Sequence, residues 1–196
     1  MKKIVLVLLF LAQINVYSQQ ENTKFTVKVG KEEGDLNDDG IKDQVIVTMD
    51  TASITIPLKL EILFGRRDKK FRTVFSSSNI IEPQYPSEEK GKKADYQIPS
   101  FFIERRTLVM MSDIPGGHSQ YIFKYKNENF ELIKVIKMTK DDKNIVETEF
   151  NLVAGIQTTV TKALGSEKVV KEDKQAIKVK ELPKLQDFKK YEKEFL

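Results

Sequence analysis

Between Asp35 and Asp43 the chain reads Asp-Leu-Asn-Asp-Asp-Gly-Ile-Lys-Asp, which sets oxygen-bearing side chains at the first, third, fifth and ninth places: Asp35, Asn37, Asp39 and Asp43. Gly40 holds the sixth place, and the Ile41 carbonyl is available at the seventh. A tightly curled loop turns every second residue inward, and a glycine in its middle permits the sharp bend. This spacing therefore suits a hard cation bound through oxygen alone. Three inward carboxylates repel one another when no ion is present and keep a single negative charge around Ca2+. Mg2+ fits less well, because it wants a stricter octahedron and holds on to its waters. Asp38 points out of the ring and is not a ligand. A second reading needs no ion, since Asp and Asn side chains also make self-capped turns by bonding their own backbone.

The twelfth place separates loop families. An EF-hand carries a bidentate Glu there, between two helices. Here it is Ile46, inside the β-branched run Gln44-Val-Ile-Val-Thr48, so the Asp-rich loop runs straight into a strand. Other reactive groups are sparse. The only histidine, His118, stands beside Ser119 in Asp113-Ile-Pro-Gly-Gly-His-Ser-Gln120. A base beside a hydroxyl in a turn is no triad, because the groups must meet in space with an orienting acid. That stretch also lacks the strand, glycine spacing and Lys of a phosphate loop. With no Cys, disulfides, zinc fingers, thiol nucleophiles and covalent c-type haem are excluded. A lone His excludes sites that need two imidazoles. Among 29 acidic side chains nothing singles out a glycosidase pair. Tyr85, Tyr96 and Tyr121 lie in or beside loops where a ring could stack on a sugar or peptide, although Tyr121 opens the apolar run of a strand.

The elements that must carry the loop are short and extended. Over 196 residues, 40% hydrophobic and 32% charged, there is enough apolar material for one packed domain. Period-two alternation dominates: Phe25, Val27 and Val29; Val45 and Val47; Ile54 and Ile56; Leu58, Leu60, Ile62 and Phe64; then Phe71 with Val74 and Phe75. Later runs cover 101–103, 108–111, 121–125, 130–138 and 146–152, with Val160 and Ala163, then Ile177 and Val179. This amounts to about ten strands at spacings typical of antiparallel sheets. A helical stripe appears only at the end, where Leu185, Phe188, Tyr191 and Phe195 would share one face. The expected fold is mainly β, with antiparallel sheets arranged as a sandwich, an open barrel or a partial propeller-like unit, and a short C-terminal helix. Residues 76–99, with three Pro and a Ser run, read as a long loop. Such loops are often functional, and a plain solvent-exposed connection is the alternative.

The first 18 residues read as a signal peptide. Lys2 and Lys3 precede the apolar run Ile4 to Ala12, which is too short for a bilayer that needs about 20 apolar residues. Val16 and Ser18 take the small-residue positions before a cut, and no Cys follows that would take a lipid anchor. Removing Lys2 and Lys3 lowers the charge from +4 to +2, with 31 basic against 29 acidic side chains. The lysines are scattered, without the basic stripe or reading motif of a nucleic-acid binder. The expectation is an exported chain, periplasmic or extracellular, with residues 19–196 as a single β domain. It would touch a membrane only through the transient signal peptide.

Asp35 to Val47, then Leu60-Glu-Ile-Leu-Phe-Gly65, then Arg66-Arg-Asp-Lys-Lys-Phe71, resembles one repeat of the FG-GAP/VCBS type over residues 33–75. In that family an Asp-rich loop enters a strand, and a second strand ends in a Phe-Gly or Leu-Gly pair before a turn and an aromatic. Phe64, Gly65 and Phe71 match those places. The resemblance implies Ca2+ held by Asp35, Asn37, Asp39, the Ile41 carbonyl and Asp43. Two departures stand out: only one such loop is present, where a propeller needs about four to eight blades, and Lys69 and Lys70 occupy a turn where glycine is usual. The later half, with Asn151 and Gly155 in Phe150-Asn-Leu-Val-Ala-Gly155, resembles uncharacterised exported β proteins of Bacteroidetes-like bacteria, a likeness that implies no activity.

The function expected from these features is that of a monomeric, non-enzymatic calcium-binding module of the cell envelope, structural or interacting with another envelope protein, a peptide or a glycan. Alternatives are a secreted inhibitor or immunity-type protein acting on a hydrolase through the long loop, and a carboxylate-based hydrolase.

Overall fold

The structure, a computed structural model, describes residues 24–85 and 98–192. The signal segment, residues 86–97 of the long loop (with Tyr96) and Phe195 lie outside the described residues.

Eleven strands form two antiparallel sheets. The first is a meander of β1 (Val27–Gly34), β2 (Asp43–Met49), β3 (Leu58–Gly65) and β4 (Phe71–Ser77). The second is a seven-stranded meander of β5 (Ser100–Glu104), β6 (Thr107–Ile114), β7 (Gly117–Lys126), β8 (Asn129–Lys140), β9 (Asn144–Asn151), β10 (Ile156–Ala163) and β11 (Val169–Ala176). Each sheet keeps two open edges, so among the described residues neither closes into a barrel. A 3-10 turn at Leu185–Asp187 and one helical turn, α1 (Phe188–Tyr191), follow.

Alternation explains the core. Val45 and Val47 from β2 and Leu58, Leu60, Ile62 and Phe64 from β3 face one way. They share a single cluster with Leu108 and Met110 of β6, Tyr121 and Phe123 of β7, and Phe130, Leu132 and Val135 of β8. The four-stranded sheet thus covers the β5–β8 half of the larger one. Phe64 joins the two at one end, edge-on to Tyr125 at 4.7 Å between ring centres and to Phe130 at 6.4 Å. Leu185, Phe188 and Tyr191 enter the same core, as the terminal stripe predicts, with Phe188 edge-on to Tyr121 at 4.9 Å. Tyr121 is therefore a core residue, and burial pushes its phenol up to about 12. The chain reaches that core by pairing Lys184 with Glu131 and by the Leu132 amide donating to the Pro183 carbonyl, on the stretch of β8 that β9 leaves open.

Four expectations are revised. Val27 and Val29 are exposed, because β1 lies at an edge and the positions it turns inward are Gly30, Glu32 and Gly34. Ile54 and Ile56 belong to a turn rather than a strand: Ile56 has a left-handed φ of 46°, and the buried Asp50 carboxylate organises the turn by accepting from the Ala52 amide and the Ser53 hydroxyl. The last strand is Val169–Ala176, and Ile177 and Val179 instead pack against the core from the irregular return. Residues 113–120 are two strands around a tight turn, so His118 sits in β7 opposite Asp113 while Ser119 faces the core. Neighbours in a strand point to opposite faces, and the structure therefore does not bring His118 and Ser119 together. The described start of the long loop is tied down as well: Ile80 and Ile81 are buried, and the Gln84 and Tyr85 amides donate to the Ile56 and Thr55 carbonyls.

Candidate functional site

Residues 35–42 link the edge strand β1 to β2 at the end of the molecule where the Phe64 aromatic cluster lies. Leu36 is buried beneath them and anchors a largely polar segment to the core. The bend expected at Gly40 is present with φ 77°, and Asp38 also takes a left-handed φ of 65°.

The loop is closed by its own carboxylates. Asp35 Oδ1 accepts from the amides of Asp38 (2.8 Å) and Asp39 (3.3 Å), and its Oδ2 accepts from the Gly40 amide (3.0 Å). Asn37 Oδ1 accepts from the Asp39 amide, and Asn37 Nδ2 donates to Asp39 Oδ2 at 2.9 Å. Asp39 Oδ1 accepts from the Ile41 amide at 2.8 Å. Asp35, Asn37 and Asp39 are thereby brought together around one turn.

Asp43 lies apart, fully buried. Its Oδ2 accepts from the Leu36 amide at 2.8 Å, across the mouth of the loop, and its Oδ1 accepts from the Gly65 amide at 3.0 Å, at the end of β3. Burial pushes its carboxyl above the ordinary value; the two amides oppose this, and the charges of Asp39 and Asp35 add to it.

Gly65 shows why the Phe-Gly pair ends β3. A Cβ there would stand 2.3 Å from the Lys42 carbonyl oxygen and 2.8 Å from Ile41 Cγ2. The loop lies directly on this glycine, while Phe64 points into the aromatic cluster. Lys69, in the following turn, takes a left-handed φ of 62°, the conformation that a glycine would supply without strain.

Among the described residues no three His, Cys, Asp or Glu side chains form a metal cluster in the geometry shown. The donor chemistry nevertheless suits a hard cation. A carboxylate offers about four acceptor sites. The hydrogen bonds above take three at Asp35 and two each at Asp39 and Asp43, so each keeps room for an ion.

Asp38 turns outward, as its place in the spacing predicts, and meets Arg106 at 2.7 Å. Arg105 and Arg106 form the β5–β6 turn with left-handed φ values of 47° and 64°. A two-residue hairpin turn of this hand favours Asn-Gly. Arg105→Asn is therefore expected to raise stability by about 0.5–1 kcal/mol through relief of backbone strain. Urea unfolding of the two proteins measures this, and an unchanged midpoint would mean that Arg105 is not strained.

Sequence reasoning missed Leu36 as the anchor, Asp43 as a strut between loop and sheet, and the arginine turn. An apolar residue within a polar loop was the available sign of the first. Comparison of the chain with protein-family models, with curated proteins and with solved structures finds no match.

Proposed function

We propose that the chain is an exported β module of the cell envelope in which the loop Asp35–Asp43 binds Ca2+ as a structural ion, in the manner of an FG-GAP/VCBS-type unit. Asp35, Asn37, Asp39, the Ile41 carbonyl and Asp43 would hold the ion. The observation that carries this reading is the geometry of the loop: Asp35, Asn37 and Asp39 are gathered around one turn bent at Gly40, the buried Asp43 closes its mouth, and the three carboxylates repel one another there. A divalent cation would relieve that repulsion and fasten the edge strand β1 and the start of β2 to β3. The apolar N-terminal segment supports export. The role is to rigidify a surface that meets another envelope protein, a peptide or a glycan.

Extracellular calcium modules bind at about 10⁻⁴–10⁻³ M. At tenfold excess over the dissociation constant, binding adds about 1.4 kcal/mol. Melting of residues 19–196 in metal-free buffer, in Ca2+ and in Mg2+ tests the reading. Ca2+ is expected to raise Tm by several degrees and Mg2+ to have little effect. Asp39→Ala should remove the Ca2+ increment while changing the metal-free curve far less. Three coincident wild-type curves would reduce the loop to a set of self-capped turns.

A further inference from the structure

The chain has five arginines, Arg66, Arg67, Arg72, Arg105 and Arg106, and its other 28 basic side chains are lysines. Four of them border the Asp-rich loop, and Arg105 is the chain neighbour of the fourth, Arg106. Arg66, Arg67 and Arg72 line an open cleft of about 460 Å3 together with Asn37, Asp39 and Ile41. Arg106 holds Asp38 from the other side, with Arg105 next to it in the same turn. Elsewhere lysines pair with carboxylates, as in Lys59–Glu61 and Lys134–Glu149. Around the loop the pattern differs: Arg66 pairs with Asp68 of its own turn, yet the side chains of Arg67, Arg72 and Arg105 take part in no hydrogen bond or ion pair among the described residues. Among the described residues these three guanidiniums thus keep their donors free, although the loop's carboxylates are close by.

Arginine differs from lysine in offering a planar fork of donors that matches the two oxygens of a carboxylate or phosphate. The backbone that carries these forks is held in place. The β3–β4 turn is closed by the Lys69 amide donating to the Arg66 carbonyl and the Arg66 amide donating to the Lys70 carbonyl, both at 2.9 Å. Arg72 stands opposite Phe64 in the strand register. Binding then has to order the arginine side chains but not the turn beneath them.

We propose that the cleft of Arg66, Arg67 and Arg72 is a binding site for an oxyanion, a phosphate or carboxylate group of a small ligand or of a polymer end. Arg67 and Arg72 are the recognising forks, and the loop forms the opposite wall. The site goes beyond the calcium reading, and although it shares Asn37, Asp39 and Ile41 with that loop, its positive charge comes from the arginines alone.

The test is titration calorimetry of residues 19–196 with pyrophosphate and, separately, with citrate. The buffer is freed of metal by resin, because a chelator would itself compete as a polycarboxylate. Binding of one or both probes is expected, weakening with added salt and falling about tenfold or more in Arg67→Ala and in Arg72→Ala. Which probe binds more tightly assigns phosphate or carboxylate. Lys174→Ala, on the exposed strand at the opposite edge of the larger sheet, removes the same charge far from the cleft and should leave affinity unchanged. Binding of neither probe would overturn the proposal. So would a loss in Lys174→Ala equal to that in the arginine variants, which would show attraction by net charge alone. Melting curves of the variants establish that each is folded.

Discussion

Replacing Asp43 with Ala is expected to destabilise the fold by about 3 kcal/mol, an effect that does not require Ca2+. The carboxylate is fully buried and serves two backbone amides from different parts of the chain, Leu36 and Gly65. Leaving a buried donor without an acceptor costs roughly 1–3 kcal/mol, so two such losses span about 2–6 kcal/mol. Part of that is returned, because removing Asp43 also removes a buried charge repelled by Asp39 and Asp35. In a chain of this size about 3 kcal/mol corresponds to roughly 6–12 °C in Tm. Asp43→Asn keeps one acceptor oxygen and should fall between the two proteins. Urea unfolding in metal-free buffer is the direct measurement. A midpoint shift below that of an ordinary surface substitution would mean that water takes over both amides and that the strut is dispensable. The contrast with Asp39→Ala is informative, since that substitution should matter chiefly in Ca2+. One loop would then contain carboxylates of two kinds, Asp43 serving the sheet as well as the ion and the others the ion alone.

The sequence signalled these parts unequally, for physical reasons. Val45, Val47, Leu58, Leu60, Ile62 and Phe64 alternate because each has one face against the core, and their strands are readable residue by residue. β11, Val-Val-Lys-Glu-Asp-Lys-Gln-Ala, is exposed along its whole length, so no burial pattern marks it. What makes it a strand is the backbone ladder to β10, a partner that local sequence does not reveal. Ile54 and Ile56 mislead for the converse reason: two β-branched residues at strand spacing lie in a turn that the buried Asp50 organises from outside the pair. In the loop, spacing marks Asp35, Asn37, Asp39 and Asp43 as inward and Asp38 as outward, and the hydrogen bonds gather the first three around one turn with Asp38 outside it. It does not reveal that Asp43 reaches β3, because Gly65 is 22 residues away and only folding brings them together. The arginines of the cleft lie close together in the β3–β4 hairpin, and what the sequence does not reveal is that the Asp-rich loop folds up beside them as the opposite wall.

Gly65→Ala should be as damaging as loss of Asp43, and the two together should cost much less than their sum. At Gly65 a methyl group would lie 2.3 Å from the Lys42 carbonyl oxygen, a backbone atom that cannot rotate away as a side-chain tip can. Either β3 or the loop must move. Overpacking of this kind costs about 1–3 kcal/mol in a well-packed region. Movement also stretches the hydrogen bond from the Gly65 amide to Asp43 Oδ1, adding part of the cost of an unpaired buried donor. Together these give about 3 kcal/mol. Because both substitutions break the contact between loop and sheet, Asp43→Ala with Gly65→Ala should show a coupling energy of about 1–2 kcal/mol in a double-mutant cycle. Strict additivity would show that loop and glycine act separately, and that the Phe-Gly ending of β3 serves only the aromatic cluster. Substantial coupling would make Asp35–Asp43 and Gly65 one mechanical unit. Calcium should then raise Tm less in Gly65→Ala than in the wild type, although the glycine supplies no side-chain oxygen to an ion. That separates a loop whose ion site is built by the sheet beneath it from one that folds on its own, and in this protein the buried Asp43 strut argues for the former.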